Sequence, residues 1–227
     1  MKGKNGTVIK LGIIRSGLDE PKVIPIKRAV IKIKSVKYTD LADGYGYFKI
    51  TNFIENTSRD LKKYIESHKK KRGLKGVILD MRKNPGGLLD QAVKVSDLFL
   101  HKGDIVSIIG RDKKKKEVKK ATPKGTYEKI PVIVLIDEYS ASASEIVAAA
   151  LKDNKRGVVM GQKSFGKGSV QSVIRLGDGS GLKLTVARYY TPSGQSIQSV
   201  GVEPDVYIEN VKAVSYTHLT LPTILLV

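Results

Sequence analysis

The 227-residue chain has no cysteine and no tryptophan, and only three histidines, His68, His101 and His218. Without thiols there is no disulfide, no thiolate metal site and no cysteine nucleophile. None of the histidines stands beside a motif that could carry a nucleophile, so a Ser-His-Asp triad has poor support. His68 reads as a helix-end residue rather than a ligand. Aromatics are only 6% of the chain and do not interleave with its basic runs, so the stacking platform expected of a single-strand nucleic-acid binder is missing. No apolar run reaches the roughly 18 residues that a membrane-spanning helix needs. The first residues do not follow the basic-then-apolar pattern of a secretory leader. No metal or cofactor is expected.

Acidic residues are scarce as well. There are 22 Asp and Glu against 41 Lys and Arg, for a formal net charge of +19. Such an excess fits nucleic acid or an anionic membrane surface. The lysines come in runs, Lys69–Arg72 and Lys113–Lys116 followed by Lys119 and Lys120. With no nucleic-acid motif beside them, nucleic acid is not an expected partner. Solvated loops are the plain reading, and weak attraction to an anionic membrane surface is the better functional one. The 41% hydrophobic content and the alternation of helix and strand patterns fit an α/β protein. The length allows one core of about 150–200 residues, with room for a fragment of a second domain.

The most informative stretch runs from Val132 to Gln171. Val132–Ile136 is an apolar run suited to a buried strand. Three serines follow at alternate positions, Ser140, Ser142 and Ser144, and Glu145–Lys152 is alanine-rich and helix-prone. A serine between a buried strand and a helix start suits a nucleophile, because the helix end offers unpaired N–H groups and partial positive charge to an oxyanion. A serine there is also a common N-cap. Twenty-five residues beyond Ser142, Lys167 stands between Gly166 and Gly168, and Gln171 follows. A hydroxyl needs a base, and lysine can serve only when neutral. Its ordinary pKa is about 10.4, so a working value of about 7–8 costs roughly 4 kcal/mol, which burial of the ammonium would supply.

SASASE followed at this spacing by GKGSVQ resembles the carboxyl-terminal processing peptidases, the tail-specific serine proteases of family S41. The resemblance implies Ser142 as nucleophile, Lys167 as base and Gln171 as the residue that orients the lysine. A second family signature is LDMRKNPGG, residues 79–87. It implies that a glycine N–H of this turn and Ala143 N–H form the oxyanion hole. Physics does not separate Gly86 from Gly87, and position in the motif selects Gly86. The resemblance also implies an α/β fold of the crotonase-like (ClpP/crotonase) kind, a mixed sheet with flanking helices. It implies a serine endopeptidase acting on protein carboxyl-terminal regions outside the cytoplasm, with homo-oligomerisation left open. A catalytically silent fragment binding peptides or anionic surfaces is the alternative.

Along the chain, Val8–Arg15 and Val23–Arg28 read as a hairpin resembling the last strands of the PDZ domain that precedes the core in that family. Residues 1–30 are therefore expected to be a PDZ remnant that is marginal by itself, and the chain reads as a fragment. The peptidase core is expected over 31–212. Val30–Val36 and Gly44–Ile50 read as strands, with Thr57 as a helix cap followed by Asp60. Leu61, Tyr64, Ile65 and His68 share a helix face that ends in the basic run and Gly73. Gly76–Met81 and Asp104–Gly110 read as strands and Leu88–Leu100 as a helix, with a lysine-rich loop over 111–120. After Gln171, Val173–Leu176 and Leu182–Tyr190 read as strands. YYTPSGQSIQSVGVEPDV again resembles the family, where it closes the core. Residues 213–227 have no family counterpart; VSYTHLTLPT resembles translated sequencing-adapter sequence, and a genuine short apolar terminal strand is the alternative.

Overall fold

The computed structural model describes residues 1–17, 20–30, 34–123 and 127–209. The expected adapter tail, and residues 31–33 of the strand expected at Val30–Val36, lie outside them. The chain divides into two compact units, Met1–Lys34 and Ser35–Val227.

The first unit is an antiparallel hairpin of β1 (Val8–Ile13) and β2 (Lys22–Lys27), in register from Val8 opposite Lys27 to Ile13 opposite Lys22. Arg28 stitches its open end, donating from Nη1 to Thr7 Oγ1 at 2.9 Å and from Nε to the Met1 carbonyl at 3.2 Å.

The second unit holds a six-stranded mixed sheet in the order β12-β9-β8-β5-β4-β3. Its strands are β3 (Val36–Leu41), β4 (Tyr45–Ile50), β5 (Gly76–Asp80), β8 (Val132–Ile136), β9 (Val158–Gly161) and β12 (Val206–Tyr207). Only the β3–β4 pair is antiparallel. The central strands β5 and β8, GVILD and VIVLI, are near-continuous apolar runs, as strands buried on both faces require. A second, antiparallel sheet runs in the order β10-β11-β6-β7, from β6 (Asp104–Gly110), β7 (Lys116–Lys120), β10 (Ser169–Arg175) and β11 (Gly181–Tyr190). The helices are α1 (Thr57–Arg72), α2 (Leu89–Asp97) and α3 (Ala143–Asp153). Nine of the eleven α3 residues are buried, and its alanines Ala148, Ala149 and Ala150 lie in the core with Leu79, Val134 and Ile136.

Several expectations shift. Of the strand expected at Val30–Val36, the described part that pairs is Val36, the first residue of β3, opposite Ile50. Thr57 is the first helical residue rather than the cap, which is Asn56. The Thr57 hydroxyl is turned inward instead, 2.8 Å from Ser35 Oγ and accepting from Ile54 N–H at 2.9 Å. Half of the expected lysine-rich loop is β7, an edge strand, and lysines are what keep such an edge from pairing further. The alternation over Leu182–Tyr190 does not sort into a buried and an exposed face, since residues 181–186 are exposed throughout.

Candidate active site

β5 and β8 are parallel neighbours, with Asp80 opposite Leu135. Their carboxyl ends therefore deliver the 81–88 and 137–142 loops side by side, where open α/β sheets place ligands. The first loop is anchored by Asp80, which is fully buried. Arg82 grips it through Nε at 2.9 Å and Nη2 at 2.8 Å, with further bonds from Arg82 N–H and the Tyr47 hydroxyl. Burial alone would raise the Asp80 pKa. The bonds from Arg82 and Tyr47 outweigh it and bring the carboxyl down to about 2.

The second loop distinguishes the three serines. Ser140 and Ser144 are fully buried. Ser140 Oγ lies 2.9 Å from the Met81 carbonyl and accepts from Asp137 N–H at 2.9 Å. Ser144 Oγ donates to the Asn84 carbonyl at 3.0 Å. Both knit the two loops together. Ser142 alone keeps partial exposure, and its backbone stands at φ 55°, ψ −111°. This conformation is costly for a non-glycine residue and is typical of a nucleophile on a sharp strand-to-helix turn. Ala143 is the first residue of α3, so its N–H has no intrahelical acceptor.

Gly86 presses directly on this turn. A Cβ there would fall 2.6 Å from the Ala141 carbonyl oxygen and 2.8 Å from Ser142 Cβ, and its φ is +99°. Only glycine fits. Gly86 N–H donates to Asn84 Oδ1 at 2.9 Å. Gly87 N–H has no acceptor among the described residues.

Lys167 sits on the loop between β9 and β10, and its side chain is exposed and lines the cleft beside Ala141. Among the described residues no hydrogen bond joins Lys167 to Ser142 or to Gln171. The burial expected of a neutral lysine is not found here. Gln171 is an exposed residue of β10, at a register shift between Val170 and Gln171.

The group that binds these pieces together is one that reading the sequence left without a role. Glu145 is fully buried. One carboxylate oxygen accepts from Ser142 N–H at 2.7 Å and Lys167 N–H at 2.9 Å. The other accepts from Ser164 Oγ at 2.6 Å and Gly166 N–H at 2.7 Å. A single anion thus fixes the turn at Ser142 and the loop bearing Lys167 to each other. The capping-box spacing from Ser142 to Glu145 was the signal that could have revealed half of this arrangement.

A cleft of about 600 Å³ opens beside the turn, lined by Lys83, Pro85, Tyr139, Ala141, Phe165 and Lys167. No cluster of three or more His, Asp or Glu suited to a metal ion occurs among the described residues.

The peptidase family S41 pattern matches residues 44–208. The chain is 50% identical over 214 residues to the carboxy-terminal-processing protease of Bartonella bacilliformis, covering 92% of this chain and 49% of that protein. It is 40% identical over 210 residues to the carboxy-terminal processing protease CtpA of Bacillus subtilis, covering 92% and 44%. The fold superimposes on a solved photosystem II D1 C-terminal processing protease with a TM-score of 0.71 at 32% identity, covering 91% of this chain and 57% of that one. The chain spans about half the length of the curated relatives it matches. Its mixed α/β fold, its two signatures and these likenesses agree: the chain belongs to peptidase family S41, a family of serine peptidases.

Proposed function

We propose that the chain is the catalytic part of a carboxyl-terminal processing endopeptidase that works through a Ser142–Lys167 dyad. The observation that carries this reading is Ser142 itself. It is the one half-exposed serine of its motif, strained at φ 55° beside the Ala143 N–H, which has no acceptor among the described residues, and roped by Glu145 to the loop bearing Lys167. Ser142 Oγ attacks the peptide carbonyl while neutral Lys167 takes its proton. The carbonyl oxygen, now negative, is held by Ala143 N–H and Gly86 N–H, the latter first released from Asn84 Oδ1. The carbon–nitrogen bond breaks as Lys167 returns the proton to the leaving amine. Water, deprotonated by the same lysine, then hydrolyses the acyl-enzyme. Each oxyanion donor is worth on the order of 10²–10³ in rate.

This chemistry requires the Lys167 side chain to turn from solvent toward Ser142 and to shed water, with Gln171 orienting it. A peptide filling the cleft would do both. The same reading includes a crotonase-like core, a hairpin of PDZ type, substrates that are protein carboxyl-terminal regions, and action outside the cytoplasm. Association with anionic membrane surfaces and with further copies of the chain belongs to the same reading.

The test is hydrolysis of casein across pH 6–10 by the parent, Ser142→Ala and Lys167→Ala. The expected result is activity in the parent alone, rising through an apparent pKa well below 10. Activity persisting in Ser142→Ala would overturn the nucleophile. A folded but inert parent would favour the silent peptide-binding alternative.

A further inference from the structure

The cleft beside Ser142 is built asymmetrically. Most of its wall is apolar: Pro85, Ala141, and the exposed rings of Tyr139 and Phe165, at 58% and 65% exposure. Two exposed aromatic rings flanking a nucleophile suit an apolar substrate residue, which would cover them from water. Lys167 supplies one cationic group, and the mechanism needs it neutral. Lys83 supplies the other, and the mechanism gives it no work.

Lys83 is not placed by default. Its φ is +60°, in the left-handed region, which is strained for a residue carrying a β-carbon and which glycine or asparagine tolerates better. The conformation is pinned on both sides. Lys83 N–H donates to Asp137 Oδ1 at 2.8 Å, and the next residue, Asn84, is fully buried with Nδ2 donating to the Ile50 carbonyl at 2.8 Å. The buried Asp137 carboxylate is itself engaged by Tyr139 N–H at 3.1 Å, so it steadies one aromatic wall and the Lys83 backbone together. None of the salt bridges among the described residues uses Lys83. A strained, fixed backbone thus holds a long cation at the lip of an apolar cleft that adjoins the reacting serine.

We propose that Lys83 is a specificity-determining residue that receives a carboxylate of the bound peptide while an apolar residue of the same peptide sits between Tyr139 and Phe165. This rests on the reading of Ser142 as a peptidase nucleophile. Adjacent residues of an extended peptide are about 3.3 Å apart, so the carboxylate belongs to a residue within a few positions of the apolar one. It comes from an Asp or Glu side chain or from the free carboxyl terminus. The ammonium is solvent-exposed, so the preference is modest, roughly fivefold in kcat/KM.

The test uses short fluorescent peptides with one central leucine. In the first arm the carboxyl terminus is amidated, and the residue two positions from leucine is Glu, Gln or Lys. In the second arm that residue is Gln, and the terminus is free acid or amide. Hydrolysis by the parent and by Lys83→Glu is measured, and binding is measured by fluorescence anisotropy on Ser142→Ala with and without Lys83→Glu. The expected result is a preference for the carboxylate-bearing peptide that reverses in Lys83→Glu. The arm in which it reverses identifies the source of the carboxylate. The same order of preference in both proteins overturns the proposal. Cleavage that depends on Ser142 but ignores peptide charge overturns Lys83 and leaves the peptidase reading standing. Binding that follows the charge at position 83 without any cleavage does the reverse. Peptides neither bound nor cleaved overturn both.

Discussion

Glu145 meets four hydrogen-bond donors with two oxygens, and all of them belong to the two segments that the proposed mechanism brings together. Glu145→Ala would leave three backbone N–H groups and one hydroxyl without their acceptor in a buried place. Each such group costs about 1–3 kcal/mol when no water reaches it, and water entering the space left by the carboxylate would satisfy some of the four. We expect casein hydrolysis to fall by at least about a hundredfold and the urea midpoint to drop by the equivalent of roughly 2–4 kcal/mol. A variant with unchanged midpoint and activity would show that the clasp is dispensable. Asp80 makes a second prediction, through pH. Its carboxyl lies at about 2 in the fold against an ordinary 3.8. A depressed carboxyl stabilises fully above its unfolded pKa and loses that contribution as pH falls through the folded one. The gain at neutral pH is on the order of 2 kcal/mol at most, less what solvent takes at the Arg82 side chain, which is 45% exposed. Urea unfolding of the parent and Asp80→Asn should show the gap between them constant down to about pH 4 and narrowing toward pH 2.

At the scale of elements, α3 is the tightest. Ala148 and Ala150 are wholly buried and Ala149 nearly so. Ala148→Leu adds three carbons where no space exists, at a cost of about 1–3 kcal/mol, and calorimetry should show Tm lowered by several degrees. Elements with a strong apolar signal were readable beforehand. The strands Val132–Ile136 and Asp104–Gly110 stand with the limits their apolar runs suggested, because each is bounded by turn residues and packed on the core. β9 and β12 escaped. Four residues ending in Gly161 and two residues at Val206–Tyr207 are too short to show any period, and both exist because neighbouring strands pair with them. The lysine run hid β7 for the opposite reason: its residues are chosen for the edge they occupy, and strand propensity is not what places them. At the site, motif spacing identified Ser142 and Lys167 as candidates along the chain. Spacing could not show that Gly86 N–H is held by Asn84, nor that Lys167 rests in solvent, because both depend on what a third segment does.

For the molecule as a whole, the pairing of β5 with β8 matters most, because it joins chain positions more than fifty residues apart into one bed for two loops. Between those strands the chain detours through α2, β6 and β7, and its turn at residues 111–115 is exposed at every position. Among the described residues no hydrogen bond or salt bridge joins that turn to the candidate site. A cut there would leave one piece ending after β6 and another beginning before β7, and these are neighbours in the second sheet just as β5 and β8 are in the first. Exposed turns of this kind are where chains tolerate being opened. Under the proposed function the chain would then become a two-part reporter: halves that are each silent, one holding Gly86 and the other Ser142, and proteolysis that is seen only when the partners fused to them bring the halves together.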